Sequence, residues 1–376
     1  MKYYIIVGEA SGDLHGSNLI KHIFERDPNA DIRAWGGDLM EAEGADVVKH
    51  YRDLAFMGFL EVAANLRTIL KNFDLCKADI LKYKPDVLIL IDYPGFNLRM
   101  AKFAHQNGIK VFYYISPQIW AWKQNRVKQV KAYVDEMYVI LPFEKDFYAK
   151  FDVDVTFVGH PLIDAVERFK TAFSSRESFL AENKLDARPV VALLPGSRKQ
   201  EIGKMLPLMI TVASKFPEFQ FVIAGAPSQE PEYYQPFIGD SGIKILYGKT
   251  YQLLTYSHSA MVTSGTATLE TGIFRVPQVV CYRGGLLSYV IARFLVKIKY
   301  ISLVNLIMDR EVVKELIQNK LTKKSLRKEF ELISRKGDRR DKMLADYQEL
   351  YEKLGGKGAS DLTAKLMLKT LNEGKD

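Results

Sequence analysis

Only two cysteines, Cys76 and Cys281, occur in the 376 residues. They are too few and too far apart for a disulfide framework or a cysteine-based metal centre, so both read as packed thiols. Six histidines are scattered without HExxH spacing, which removes a common zinc-hydrolase signature. No long apolar stretch with a small-residue cleavage site follows the start, because Met1-Lys2 leads straight into Tyr3–Val7 and then glycine. The expectation is a cytoplasmic protein. Leu286–Ile301 is rich in apolar residues, yet Arg293, Lys297 and Lys299 interrupt it before it reaches a spanning length. Internal repeats of solenoid spacing and low-complexity tracts are also missing.

What is present suits a folded, two-domain chain. Hydrophobic residues make up 48%, which argues against disorder, and the length exceeds what one hydrophobic core usually serves. A formal charge of +8 admits nucleic acid, an anionic membrane or an acidic substrate as partner. Cations gather at Lys123, Arg126, Lys128 and Lys131, and again at Arg293, Lys297 and Lys299, interleaved with large apolar residues. That pattern fits a phosphate-bearing lipid or membrane surface at least as well as DNA. Ordinary solvated helix faces explain it too.

Short β-branched or aromatic runs alternate with amphipathic segments through the first half: Tyr3–Val7, Ala34-Trp35, Val87–Ile91, Val111–Ile115 and Met137–Ile140. Fully apolar runs such as Val87–Ile91 predict parallel strands buried on both faces by helices, in a doubly wound α/β sheet. The rhythm restarts at Val190–Leu194, followed by a glycine turn, a helix over Glu201–Phe216 and a strand at Gln220–Ile223. Two Rossmann-like lobes are therefore expected, 1–164 and 165–325, with 326–376 as terminal helices packing on a lobe or a partner.

Four places can carry chemistry. Gly8-Glu9-Ala10-Ser11-Gly12-Asp13 follows the first strand and opens a helix, where α/β proteins place ligands. It lacks GxGxxG spacing, and a tight turn with Asp13 near the helix start is an alternative reading. Asp92 follows the buried strand Val87–Ile91, which delivers its carboxylate to the same sheet edge and makes it a candidate general base. A helix or turn cap is the alternative there. Pro195-Gly196-Ser197-Arg198 sits between a strand and a long helix. Gly196 lets the backbone approach a phosphate, Ser197 and the helix N–H groups donate, and Arg198 can fork two donors onto its oxygens, with a plain strand–turn–helix and a surface arginine as the alternative reading. Thr263 to Glu270 repeats the arrangement: Ser264, Gly265, Thr266 and Ala267 leave room for a diphosphate, and Glu270 can accept from ribose hydroxyls. Together these point to a nucleotide-sugar. No carboxylate pair has evident metal-binding spacing, so neither metal nor cofactor is expected.

These segments, with Ile91–Asn97, Ser116–Trp122, Leu141-Pro142-Phe143-Glu144, Gly159-His160 and Leu193–Arg198, run collinearly and resemble the lipid A disaccharide synthases. The resemblance covers Met1 to about Leu316. It implies an inverting, metal-independent glycosyltransferase with two Rossmann lobes facing across a cleft. The implied substrates are UDP-2,3-diacylglucosamine and 2,3-diacylglucosamine 1-phosphate, joined at the cytoplasmic face of a Gram-negative inner membrane, with no nucleic acid. By the same resemblance Asp92 is the general base, Arg198 and its loop hold the UDP phosphates, Glu270 with Ser264–Ala267 holds the nucleotide, Asn305 lies near it, and the Gly8–Asp13 loop faces the acceptor. Gly95 departs from the pattern, since some members carry an acid there.

Acyl chains need an apolar surface. Over Leu54–Phe73, Phe56, Phe59, Leu60, Ala63, Leu66, Leu70 and Phe73 form one face that Met57, Val62 and Ile69 broaden, which makes Phe56, Met57, Phe59, Leu60, Val62, Leu66 and Ile69 candidate lipid contacts. A helix buried on two sides explains the same residues. Tyr113, Tyr114, Trp120 and Trp122 border an acceptor groove or pack in the core. Oligomeric state is open, with a homodimer and a C-terminal swap as candidates.

Overall fold

The computed structural model describes residues 1–54, 66–121, 123–170, 175–284 and 299–373. The chain divides into two compact units, one of Met1–Ala165 with Leu354–Asp376, the other of Val166–Lys353.

The first unit is built on seven parallel strands: β1 (Lys2–Ile6), β2 (Asp31–Gly36), β3 (Asp46–His50), β4 (Val87–Ile91), β5 (Lys110–Tyr114), β6 (Glu136–Val139) and β7 (Thr156–Phe157). Their spatial order is 3-2-1-4-5-6-7. Every residue of β4 is buried, as its unbroken Val-Leu-Ile-Leu-Ile run demands when helices cover both faces. The helix Leu66–Tyr83 presents Phe73, Cys76 and Ile80 to this core at three- and four-residue spacing and leaves Leu70, Leu75 and Leu81 exposed.

Six parallel strands form the second unit: β8 (Val190–Leu194), β9 (Gln220–Gly225), β10 (Lys244–Tyr247), β11 (Ser257–Thr263), β12 (Gln278–Tyr282) and β13 (Lys314–Ile317). They are ordered 10-9-8-11-12-13, which repeats the 3-2-1-4-5-6 order of the first unit. Each sheet thus reverses direction beside its first strand, between β1 and β4 and between β8 and β11. The loops leaving those strands open a crevice where α/β sheets bind ligands.

The expected lobe boundary at 164/165 lies one residue from Ala165/Val166, whereas the expected 326–376 tail divides. Helices Lys323–Ser334 and Asp338–Lys353 belong to the second unit, where the Phe330 ring packs on Phe216, Phe219 and Phe221. Helix Ala359–Glu373 returns to the first unit and packs on helix Ala10–Arg26. Its start is fixed by Asp164, whose carboxylate accepts the Gly358 and Ser360 N–H groups at 2.7 and 3.0 Å. The edge strands β3 and β13 escaped the sequence reading because they are only partly buried and polar, so neither strict alternation nor an apolar run marks them. No helix among the described residues is long and apolar enough to cross a membrane.

Candidate active site

At the switch point of the first unit the chain leaves β4 in a conformation that its residues disfavour. Asp92 and Tyr93 both have positive φ, 46° and 49°, although neither is glycine. The Asp92 N–H reaches back to the carbonyls of Tyr114 and Ile115 at 3.4 and 3.2 Å, continuing the β4–β5 pairing past the strand end. Helix Pro94–Gln106 then begins with proline at its first turn. The Tyr93 ring lies against Gly8, where a Cβ would come within 2.3 Å of it, so glycine is required at that step of the β1 loop.

Asp92 is half-buried. Burial, helped by the negative charge of Glu9, pushes its carboxyl up to about 7, while a hydrogen bond from the Tyr93 N–H acts in the opposite direction. A group that exchanges a proton near neutrality, at a strand carboxyl end, is suited to general base work. Glu9 accepts from Ser11 Oγ at 2.5 Å, which leaves both side chains of the loop near the surface. Asp13 is different. It is buried, and its two carboxylate oxygens accept the N–H groups of Leu39 and Met40 at 3.1 Å each. Buried, it caps the short helix Asp38–Ala42 with both oxygens, which corrects its expected place among the substrate contacts. Gly12 is likewise packed, with a Cβ there meeting Val7 at 2.9 Å.

The second switch point is a glycine turn that runs into a helix N-terminus. Gly196 has φ of 103°, and a Cβ on it would meet Glu201 Oε2 at 2.6 Å, so the turn from β8 into helix Lys199–Ala213 depends on glycine. The Ser197 carbonyl is tied down by Ser228 Oγ at 3.0 Å and Gln229 Nε2 at 3.1 Å. Arg198 is well exposed, with its guanidinium 3.9 Å from Glu201 Oε1. The N–H groups of Ser197 and Arg198, expected to be free for phosphate, instead point at the Glu201 carboxylate at 3.3 and 3.4 Å. A carboxylate at these donors is the internal stand-in for an anion at a helix N-terminus.

Across the same crevice, helix Thr266–Ile273 starts at Gly265, and Gly265 and Thr266 are exposed with Ser264 and Ala267 half-buried. Ser264 Oγ donates to the Ile301 carbonyl at 3.0 Å, so it anchors a neighbouring segment. Glu270 accepts from the Tyr251 hydroxyl at 3.0 Å, and burial raises its carboxyl above the usual range. Tyr251 has no signal in the sequence, because 19 residues separate it from Glu270. Asn305 is fully buried, and its amide is saturated: Nδ2 donates to the Val313 carbonyl and Glu315 Oε1, both at 2.9 Å, and Oδ1 accepts from the Val312 and Val313 N–H groups. Glu315 in turn accepts from the N–H groups of Ile301 and Ser302. Asn305 therefore supports this loop from behind and does not reach a nucleotide, which corrects its expected role.

Among the candidate lipid contacts, Phe56, Met57, Phe59, Leu60 and Val62 lie outside the described residues, as does the side chain of Leu66. Ile69 packs against the first unit's core, so that core explains its apolar character. Tyr113 and Tyr114 are fully buried, which decides for core packing over a groove wall; Trp122 lies outside the described residues. Lys131 donates to the Phe151 carbonyl at 3.1 Å and Lys299 pairs with Asp309 at 3.3 Å, so neither is a wholly uncommitted cation; Arg293 and Lys297 are outside the described residues. Glu144, in the Leu-Pro-Phe-Glu segment, is buried and caps its helix through the Ile140 and Leu141 N–H groups.

Comparison with known proteins bears on the fold and the family. The co-structure of S. aureus MnaA with UDP superposes with a TM-score of 0.71, covering 99% of this chain and 97% of that one at 12% identity. CalG4, the calicheamicin glycosyltransferase, gives 0.61 over 100% and 99% at 14% identity. The fold is that of the two-lobe GT-B glycosyltransferases and related epimerases. Sequence is more specific. The lipid-A-disaccharide synthase of Syntrophus aciditrophicus is 40% identical over 372 residues, 97% of this chain and 96% of the relative, and that of Geobacter metallireducens is 38% identical over 376, 98% and 97%. A family model described as lipid-A-disaccharide synthetase matches residues 3–370, and the chain belongs to that family of glycosyltransferases.

Proposed function

We propose that this glycosyltransferase moves a 2,3-diacylglucosamine unit from its UDP derivative to the 6-hydroxyl of 2,3-diacylglucosamine 1-phosphate, with inversion. The observation that carries this reading is that each unit has its own equipped switch point: a carboxyl poised near 7 in one, and in the other a glycine turn with Arg198 and the Glu270 loop. In the reaction the acceptor oxygen forms its bond to the anomeric carbon as the bond from that carbon to the diphosphate oxygen breaks. The hydroxyl proton passes to Asp92, and the electron pair leaves with UDP. Asp92 must be ionised to accept the proton, so turnover rises as pH passes through about 7.

Charge that builds on the departing diphosphate is spread over the Arg198 guanidinium, Ser197 and the helix N-termini, and Glu201 yields the Ser197 and Arg198 N–H groups to phosphate oxygens. Metal is unnecessary in this scheme, and activity persists in excess EDTA. That the fold also serves proteins solved with UDP and with UDP-GlcNAc supports a UDP-sugar donor. The acylated substrates place the enzyme peripherally at the cytoplasmic face of the inner membrane. The product's mass after mixing both acylated glucosamines tests the assignment. A tetraacyl disaccharide 1-phosphate plus UDP is expected, and turnover of unacylated UDP-N-acetylglucosamine alone would reject it.

A further inference from the structure

A group of buried polar side chains in the first unit has no part in the scheme above, and all of it converges on one carbonyl. The Asp92 C=O accepts from Asn97 Nδ2 at 2.8 Å and from the Tyr113 hydroxyl at 2.5 Å. Asn97 is completely buried, and the same nitrogen approaches the Ile91 carbonyl at 3.2 Å and the Ile6 carbonyl at 3.4 Å. It thereby gathers the ends of β4 and β1, the two strands that bound the switch point. Its Oδ1 is buried and has no hydrogen-bond partner among the described residues, a cost that a purely apolar residue would avoid. Tyr113 is also completely buried, on β5, and its hydroxyl donates this bond.

The backbone under this clamp is strained in three places. Asp92 and Tyr93 are left-handed, and Ile115, whose carbonyl accepts the Asp92 N–H, has φ of 64°, an unusual state for a β-branched residue. Ile115 is held in turn by its own N–H bond to the Tyr138 carbonyl at 3.1 Å. Conformations of this kind persist only where surrounding structure over-determines them. If Asp92 relaxed to negative φ, its peptide plane and carboxylate would rotate together, so fixing the carbonyl fixes the direction of the carboxylate.

We propose that Tyr113 and Asn97 are positioning residues, which clamp the Asp92 carbonyl in its left-handed conformation and so aim the carboxylate at the acceptor hydroxyl. This rests on Asp92 being the base. The closing experiment is a double-mutant cycle on the full chain, reading kcat, KM for both acylated substrates, the pH profile and Tm. Tyr113→Phe keeps the ring in the core and removes only the hydroxyl. It lowers kcat about 10-fold, leaves both KM values within about twofold, and shifts the apparent pKa of the profile. In the Asp92→Asn background, assayed at high enzyme concentration, Tyr113→Phe causes no further loss. Asn97→Ser, which keeps a small polar group, follows the same pattern with a lower Tm.

Unchanged kcat and pH profile in folded Tyr113→Phe would overturn the proposal. So would an equal loss with and without the Asp92 carboxylate, since that marks general damage to the core. Near-normal turnover by Asp92→Asn removes the base itself, and the clamp falls with it; that outcome is told apart by the Asp92 single variant alone.

Discussion

The two switch points occupy the same place in the same strand order, yet they are built with opposite chemistry. Beside β1 and β4 lie an acid pushed up to about 7, a second carboxylate at Glu9 and a left-handed backbone with no glycine at Asp92 or Tyr93. Beside β8 and β11 lie a glycine-permitted turn, an exposed arginine, and N–H groups already turned toward a carboxylate. One fold therefore presents either a carboxyl of raised pKa or a glycine turn with an exposed arginine, according to a few loop residues. The scaffold sets where a ligand meets the sheet, and the loops set what is done to it.

The contrast breaks most visibly at the acid. Asp92→Asn is expected to lower kcat by about 10³-fold or more while UDP binding by calorimetry stays within about twofold, because the two properties belong to different units. Removing the anion site gives the next largest effect: Arg198→Ala costs about 10²-fold in kcat, and Arg198→Lys recovers only part of it because a point charge lacks the fork. Glu270→Ala should weaken UDP binding about 10-fold with little change in the pH profile, which separates nucleotide recognition from proton transfer.

The smallest effect is on stability and runs against activity. Since the folded-state pKa of Asp92 is raised above its unfolded value, the wild-type protein loses stability as pH climbs from about 4 toward 7, where the folded carboxyl finally ionises. Asp92→Asn is then about 1–3 kcal/mol more stable than wild type at pH 8, and the gap closes below about pH 4. Paired thermal melts at the two pH values check the sign; a variant less stable than wild type at pH 8 would contradict it.

Much of this was legible in order along the chain. The apolar run Val87–Ile91 demanded a two-sided burial that the sheet supplies, and the acid after it could only emerge at a strand end. Gly196 announced a turn that no other residue makes easily. Asn305 and Asp13 were harder, because a polar residue near a motif looks the same whether it meets a ligand or a backbone N–H. Only their neighbours in space, Val312, Val313 and Glu315 for one and Leu39 and Met40 for the other, reveal saturated caps. Tyr251 gave no sign, and Tyr113 read only as groove wall or core, since an aromatic in an apolar setting is ordinary core until the target of its hydroxyl is seen.

The sequence by itself determined the two α/β units, the loops that carry chemistry and the family, because periodicity, turn residues and collinear motifs are local properties. Tertiary structure decided the rest. It buried Asp92 and placed Glu9 near it, which raised the acid's pKa, and it sent the last helix back to the first unit. Each of these depends on which groups share a small volume after folding, and distance along the chain carries no record of that.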